Sequence, residues 1–215
     1  MSALKKSPSN FRGTFHNWDL FIVAAYGKII PQTVLDIPKF GTLNVHPSLL
    51  PKFRGSSPIH SALLEGEQET GVSIMLLDAE MDHGPILTQE KITLYKNSIA
   101  ELPTASHLEK QLAHLGGKML GTLIPKWVAG EIKARAQNHT EATYCQKLKS
   151  SDGLINLDAD AELNFRKIQA FDHWPKAHFF KDGKRIIIKK ARLNNGQLII
   201  EKVLPEGGTE IDYKN

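Results

Sequence analysis

The sequence predicts an α/β protein, a Rossmann-like open sheet up to about residue 130 followed by a small all-β barrel. Three observations carry this reading. Apolar runs of strand length alternate with stretches of helical periodicity through the first 130 residues, the signature of a sheet layered with helices. Residues 104–129 place Leu108, Leu112, Leu115, Met119, Leu123 and Trp127 at spacings of three and four, and Gly130 closes that helix. From 151 onward the pattern shifts to short β-type runs, RIIIKKARL and GQLIIEKVL, punctuated by the turn signals Asp182-Gly183 and Asn194-Asn195-Gly196.

The elements follow in order. Residues 20–25, LFIVAA, form a continuous apolar run, the pattern of a parallel strand buried on both faces. Tyr26-Gly27 ends it, and a short helical segment follows Pro31, a favoured first-turn residue. A short strand spans about Gly41 to Val45. A helix begins at Ser57-Pro58, with Ile59, Ala62 and Leu63 on one face, and stops at Gly66. Thr70 to Leu77 and Ile86 to Leu94 read as strands, the second partly alternating and so nearer an edge. Residues 131–150 are polar and free of glycine, which reads as a linker. The resulting division is 1–130, a linker at 131–150, and 151–215.

Composition sets limits. The 215 residues are 41% apolar and 23% charged, ordinary for a chain with a real core. No apolar run approaches the roughly 20 residues of a membrane span. The start, MSALKKSPSNFRG, has no apolar segment after its lysines and does not read as a secretory signal. A single cysteine, Cys145, excludes an internal disulfide framework and fits a reducing compartment. The expectation is the cytoplasm, or an organellar matrix in a eukaryote.

Candidate chemistry concentrates in two segments, TLNVHPSLLPKFRG (residues 42–55) and MDHGP (residues 81–85). Along an extended run alternate side chains share a face, so Asn44 and His46 point into one site. Asp82 comes from a glycine-containing turn. A neutral amide donor, a proton shuttle and a carboxylate that sets the charge of the imidazole suit acyl transfer without a covalent enzyme intermediate. A carboxylate holds such a histidine as imidazolium. Asp78 competes for the acidic role, and Gly84 favours Asp82 because a glycine lets the backbone approach a ligand closely. Prolines 47 and 51 restrict the SLLP loop, Ser48, Leu49, Leu50 and Pro51, in which the two leucines supply apolar cover for a flat ligand. The other eight of nine histidines read as ordinary, and His107 with His114, lacking a third ligand, make no metal site.

These residues carry a resemblance. NVHPSLLPKFRGSSPI, ETGVSIMLLDAEMDHGPIL and IQAFDHWPKAHFF resemble the 10-formyltetrahydrofolate-dependent formyltransferases, and within them the methionyl-tRNA formyltransferases. The resemblance implies a partial Rossmann-like formyltransferase domain followed by an OB-type β-barrel that binds tRNA. It makes Asn44, His46 and Asp82 catalytic and the Ser48–Pro51 loop folate-contacting, joined by Tyr26, Gly27 and Asp78. The donor would be 10-formyltetrahydrofolate, the acceptor the α-amine of initiator methionyl-tRNA, and no metal is implied. A sugar-nucleotide N-formyltransferase, a formyltetrahydrofolate hydrolase and an inactive remnant retaining a tRNA-binding module stay open as alternatives.

One departure stands out: the family fold begins with further strands that precede LFIVAA, and the residues before it here show no strand pattern. The expectation is an N-terminally shortened domain whose bare edge invites self-association. Phe11, Phe15 and Trp18 offer that edge a little cover. Net charge is +4, and residues 181–192 hold six Lys/Arg against one Asp. Lys184, Arg185, Lys189 and Lys190 are accordingly candidate phosphate contacts, against the plainer reading of a solvated hairpin.

Overall fold

The computed structural model of the chain describes residues 18–214, so Phe11 and Phe15 lie outside the described residues. Two four-stranded sheets organise the chain. The first contains β1 (Phe21–Ala24), β2 (Thr42–His46), β3 (Glu69–Leu76) and β4 (Ile86–Thr93), in that spatial order. The second contains β5 (His178–Lys181), β6 (Lys184–Asn194), β7 (Gln197–Pro205) and β8 (Ile211–Asp212). Four helices accompany them: α1 (Gln32–Leu35), α2 (Pro58–Glu65), α3 (Ala105–Val128) and α4 (Ala161–Ala170).

In the first sheet only β1 and β2 are parallel; β3 and β4 are antiparallel additions. The reason lies in α2. It packs on α4 and α3 instead of crossing the sheet face, so the chain re-enters at the end where β2 left it. Pro58 starts α2 and Gly66, at φ +69, caps it, as the sequence predicts. The long helix α3 covers one face of the sheet. Thr104 accepts the His107 N–H at its N-terminus. Gly116 lets α3 press on β2, since a Cβ there would sit 2.6 Å from Val45. Trp127 donates to the Phe40 carbonyl at 2.8 Å, tying the far end of α3 to the approach to β2.

The expectation that LFIVAA is buried on both faces is corrected. β1 spans only residues 21–24, has one neighbour among the described residues, and leaves Ile22 49% exposed. With β2 its one neighbour among the described residues, the run does not reach the burial its composition invites. Trp18 does lie against Phe21, ring centroids 5.9 Å apart.

In the second sheet both tight turns are where the sequence puts them. Asp182-Gly183 and Asn195-Gly196 all take positive φ, the geometry two-residue hairpins require. Among the described residues the sheet is an antiparallel meander, β5-β6-β7-β8, without a closing pair between β5 and β8. Those outer strands hold four and two residues, too few to wrap a barrel shut. Helix α4, capped by Asp160, packs on β6 and β7 and has no counterpart in the sequence expectation. Phe165, Phe171 and Phe179 of this half join Leu63, Leu108 and Leu112 of the first half in one continuous apolar core. No helix among the described residues is long and apolar enough to cross a membrane.

Candidate active site

β2 builds the centre by simple alternation. Leu43 and Val45 face α3, while Asn44 and His46 face the other side, where the Asp82 turn and the loop after β2 converge. Asp82 is the hub. Its Oδ1 accepts an Asn44 amide N–H at 3.3 Å, its Oδ2 accepts the Gly55 backbone N–H at 2.8 Å, and His46 Nδ1 lies 3.6 Å from Oδ2. The three residues expected to act together do come together. Asp82 holds φ +49, a left-handed conformation that aspartate tolerates better than most residues.

His46 is buried, 4% exposed, and its Nε2 lies 2.9 Å from the Phe53 carbonyl oxygen. A carbonyl only accepts, so Nε2 carries the proton and donates it. Nδ1 is therefore the nitrogen that titrates. Burial pushes the His46 pKa below its ordinary value, against the opposing pull of Asp82 and the Phe53 bond. Desolvation thus works against the imidazolium that the carboxylate favours, and Nδ1 is the atom at which a proton would be gained or lost.

The SLLP loop points inward more than expected. Leu50 is buried on Met75 and Ile86 and Ser48 is fully buried, while Leu49, over Gly71, and Pro51 lie partly open. Leu50 thus anchors the loop on β3 and β4. Ser73 fixes the loop from the sheet, accepting the Leu50 N–H at 3.0 Å and donating to the Ser48 carbonyl at 2.6 Å. Gln89 adds a bond to the Leu50 carbonyl at 2.9 Å. Pro51 passes the chain to Phe53, whose backbone sits at φ +60.

Asp78 does not join the trio. Its carboxylate accepts from His83 Nδ1 at 2.7 Å and caps its own turn through the Glu80 N–H. The His83 ring stacks on His139, centroids 4.0 Å apart. Tyr26 and Gly27 follow the C-terminal end of β1, the same end at which His46 leaves the parallel strand β2. Gly84 has a reason other than ligand approach: a Cβ there would lie 2.0 Å from the Leu76 carbonyl oxygen, so it seats the Asp82 turn on β3. Among the described residues no His, Cys, Asp or Glu cluster is arranged to hold a metal ion.

Sequence reasoning missed the contributions of 135–146. Arg54, 2% exposed, gives its Nε and Nη2 to Gln137 Oε1 at 3.2 and 2.7 Å and meets His139 Nδ1 at 2.9 Å. Gln137 and Arg54 lie 83 positions apart, beyond any local pattern. The absence of glycine from 131–150, unusual for a loose spacer, was the available signal.

The four basic candidates divide. Lys184 and Lys189 are exposed without a carboxylate partner among the described residues. Lys190 pairs with Glu201 at 2.8 Å, and Arg185 folds back on the Pro175 carbonyl and His178. A bulge at Ile188–Ala191 sets consecutive Lys189 and Lys190 both toward solvent.

Comparison with known proteins places both halves of the chain in one family. Residues 10–124 match the model of the formyl transferase family, and residues 147–213 match that of the formyl transferase C-terminal domain. Methionyl-tRNA formyltransferase of Chloroflexus aggregans is 42% identical over 173 residues, 80% of this chain and 54% of that protein. The chain thus spans about half the length of the curated relatives it matches. Among solved structures, methionyl-tRNA formyltransferase from Clostridium thermocellum superposes with a TM-score of 0.67 at 22% identity, covering 91% of this chain and 78% of that one. HypX from Aquifex aeolicus in complex with tetrahydrofolic acid gives 0.70 at 19% identity, over 86% of this chain and 33% of that one. With more than half of its length matching the family model and its two halves in the family's order, the chain belongs to the formyl transferase family.

Proposed function

We propose that the chain transfers the formyl group of 10-formyltetrahydrofolate to the α-amino group of initiator methionyl-tRNA. The observation that carries this reading is Asp82 holding Asn44 and facing His46 on one side of β2; the named relatives at about 42% identity support the choice of acceptor. The folate, when bound, supplies a carbonyl activated for attack by an amine. The site suits it. Asn44 spends one amide N–H on Asp82, and its second has no protein acceptor among the described residues. That N–H is left to meet the formyl oxygen as negative charge grows on it. The attacking amine loses a proton, and neutral His46 can take it at Nδ1. Asp82 then steadies the imidazolium that results, which can return the proton to the leaving tetrahydrofolate nitrogen as the old formyl C–N bond breaks. The test is formylation of methionyl-tRNA by the purified chain with 10-formyltetrahydrofolate; a product found only with an amino sugar, or formate alone, would replace this reading.

In this proposal the catalytic part is 1–130, the connection 131–150 and the tRNA-facing part 151–215, working in the cytoplasm or an organellar matrix. Lys184 and Lys189 give the phosphate contacts, and Lys190 and Arg185 give less because they are already engaged. Replacing Lys184 and Lys189 by Ala should flatten the slope of log K for tRNA against log salt by about two, leaving folate binding intact. An unchanged slope would leave the hairpin a solvated surface.

The edge of β1, with Ile22 and Tyr26 exposed, is the expected seat of self-association. Light scattering of the purified chain should report a species larger than a monomer, reduced by Ile22→Lys. A monodisperse monomer would dismiss it.

A further inference from the structure

We propose that Gln137 is a positioning residue of the active site, holding the Asp82 turn in place from the segment that follows α3. The inference rests on Asp82 belonging to the catalytic set proposed above.

The case begins with backbone. Arg135 and Ile86 exchange both main-chain hydrogen bonds at 2.8 Å, so residues around 135 extend the sheet beside the start of β4. That pairing aims the next side chain but one, Gln137, under the turn carrying Asp82. Gln137 is 6% exposed and its amide is fully used. Nε2 donates to the Asp82 carbonyl at 2.8 Å and to the Gly84 carbonyl at 2.7 Å, while Oε1 accepts two N–H groups from Arg54. The two donors grip the turn on either side of His83. Arg54 carries its charge without a carboxylate partner among the described residues, which makes it a strong donor to the amide. Pulling density toward Oε1 strengthens the two bonds on the other side of Gln137.

The same segment also steadies His46. Thr143 Oγ1 accepts the Phe53 N–H at 2.8 Å, and the Thr143 carbonyl accepts the Arg54 N–H at 2.9 Å. Phe53 is the residue whose carbonyl fixes the His46 tautomer. Both protonic partners of the site are thus set from 137–143. A shift of about an ångström in such a turn is enough to cost roughly a hundredfold in rate.

The experiment uses Gln137→Met, which removes both donors, and Gln137→Glu, which keeps an oxygen for Arg54 but turns acceptors toward two carbonyls. Two readouts apply in the full chain. The first is the split of kcat from KM for the folate. The second is amide exchange at Gly55, whose N–H is held by Asp82 Oδ2 and touches no atom of Gln137. The expected result is a fall in kcat of about a hundredfold with KM little changed, and exchange at Gly55 at least about tenfold faster in both variants, with other amides of β2 and β3 unaltered. Unchanged protection at Gly55 overturns the proposal without reference to turnover. So does exchange accelerated throughout β2 and β3, which would mark general loosening. Variants at Gln137 that keep full kcat, beside an Asp82→Ala control that loses it, overturn this inference alone. An Asp82→Ala control that keeps its kcat overturns the catalytic reading beneath it.

Discussion

Asp82→Ala is expected to lower kcat for formyl transfer by roughly 10²–10⁴, and Asn44→Ala and His46→Ala to fall in the same range. Asp82 should cost most, because its loss acts twice. The Asn44 amide loses the bond that orients it, and His46 loses the charge that would stabilise its protonated form. The double replacement of Asn44 and Asp82 should therefore be little worse than Asp82→Ala alone, the mark of residues acting as one unit. Steady-state formylation measures all four. His46→Ala with near-normal kcat would remove histidine from the chemistry.

Gly84→Ala should be the most damaging small substitution in the chain. The added methyl would meet the Leu76 carbonyl oxygen, a backbone atom that cannot rotate away. Either the turn lifts off β3, carrying Asp82 from Asn44, or the strand end distorts. Overpacking of this kind costs about 3 kcal/mol, and the displaced carboxylate should cost about a hundredfold in kcat. Gly117→Ala is the matched control, since nothing lies within 4 Å of a Cβ there. In a helix interior that change should stabilise by about 1 kcal/mol. Denaturant unfolding and kcat read both, and a Gly84→Ala protein as stable and active as the parent would refute the packing argument.

What was legible in the sequence was local. Asn44 and His46 share a face because a strand alternates, and the hairpins at 182–183 and 195–196 are written in residues that accept positive φ. The bounds of α2 and α3 follow from Pro58, Gly66 and Thr104. Distance defeated the rest. Alternation cannot say which neighbour a strand takes, so the antiparallel entry of β3 was hidden. Helix α4 carries only a narrow stripe, Phe165 and Ile168, among polar residues, and its clearest sign was Asp160 as a cap. Leu50 looked like cover for a ligand because nothing nearby in sequence discloses Met75 beneath it. The pull of burial on His46 likewise depends on the whole fold.

The pinning of residues 135–146 matters for anyone who would exchange the two halves of this chain with those of a relative. The obvious place to join a foreign second half is just after Gly130, where α3 has ended. A chimera cut there would discard the chain's own Arg135, Gln137 and Thr143 and rely on the donor's residues to rebuild their bonds. The seam belongs after Gln146, whose carbonyl accepts the Ser57 hydroxyl and is the last bond of this stretch to the first half. A crossover at 147 carries the whole bracing along with the residues it braces, and leaves the incoming half to rebuild the core that Phe165, Phe171 and Phe179 share with Leu63, Leu108 and Leu112.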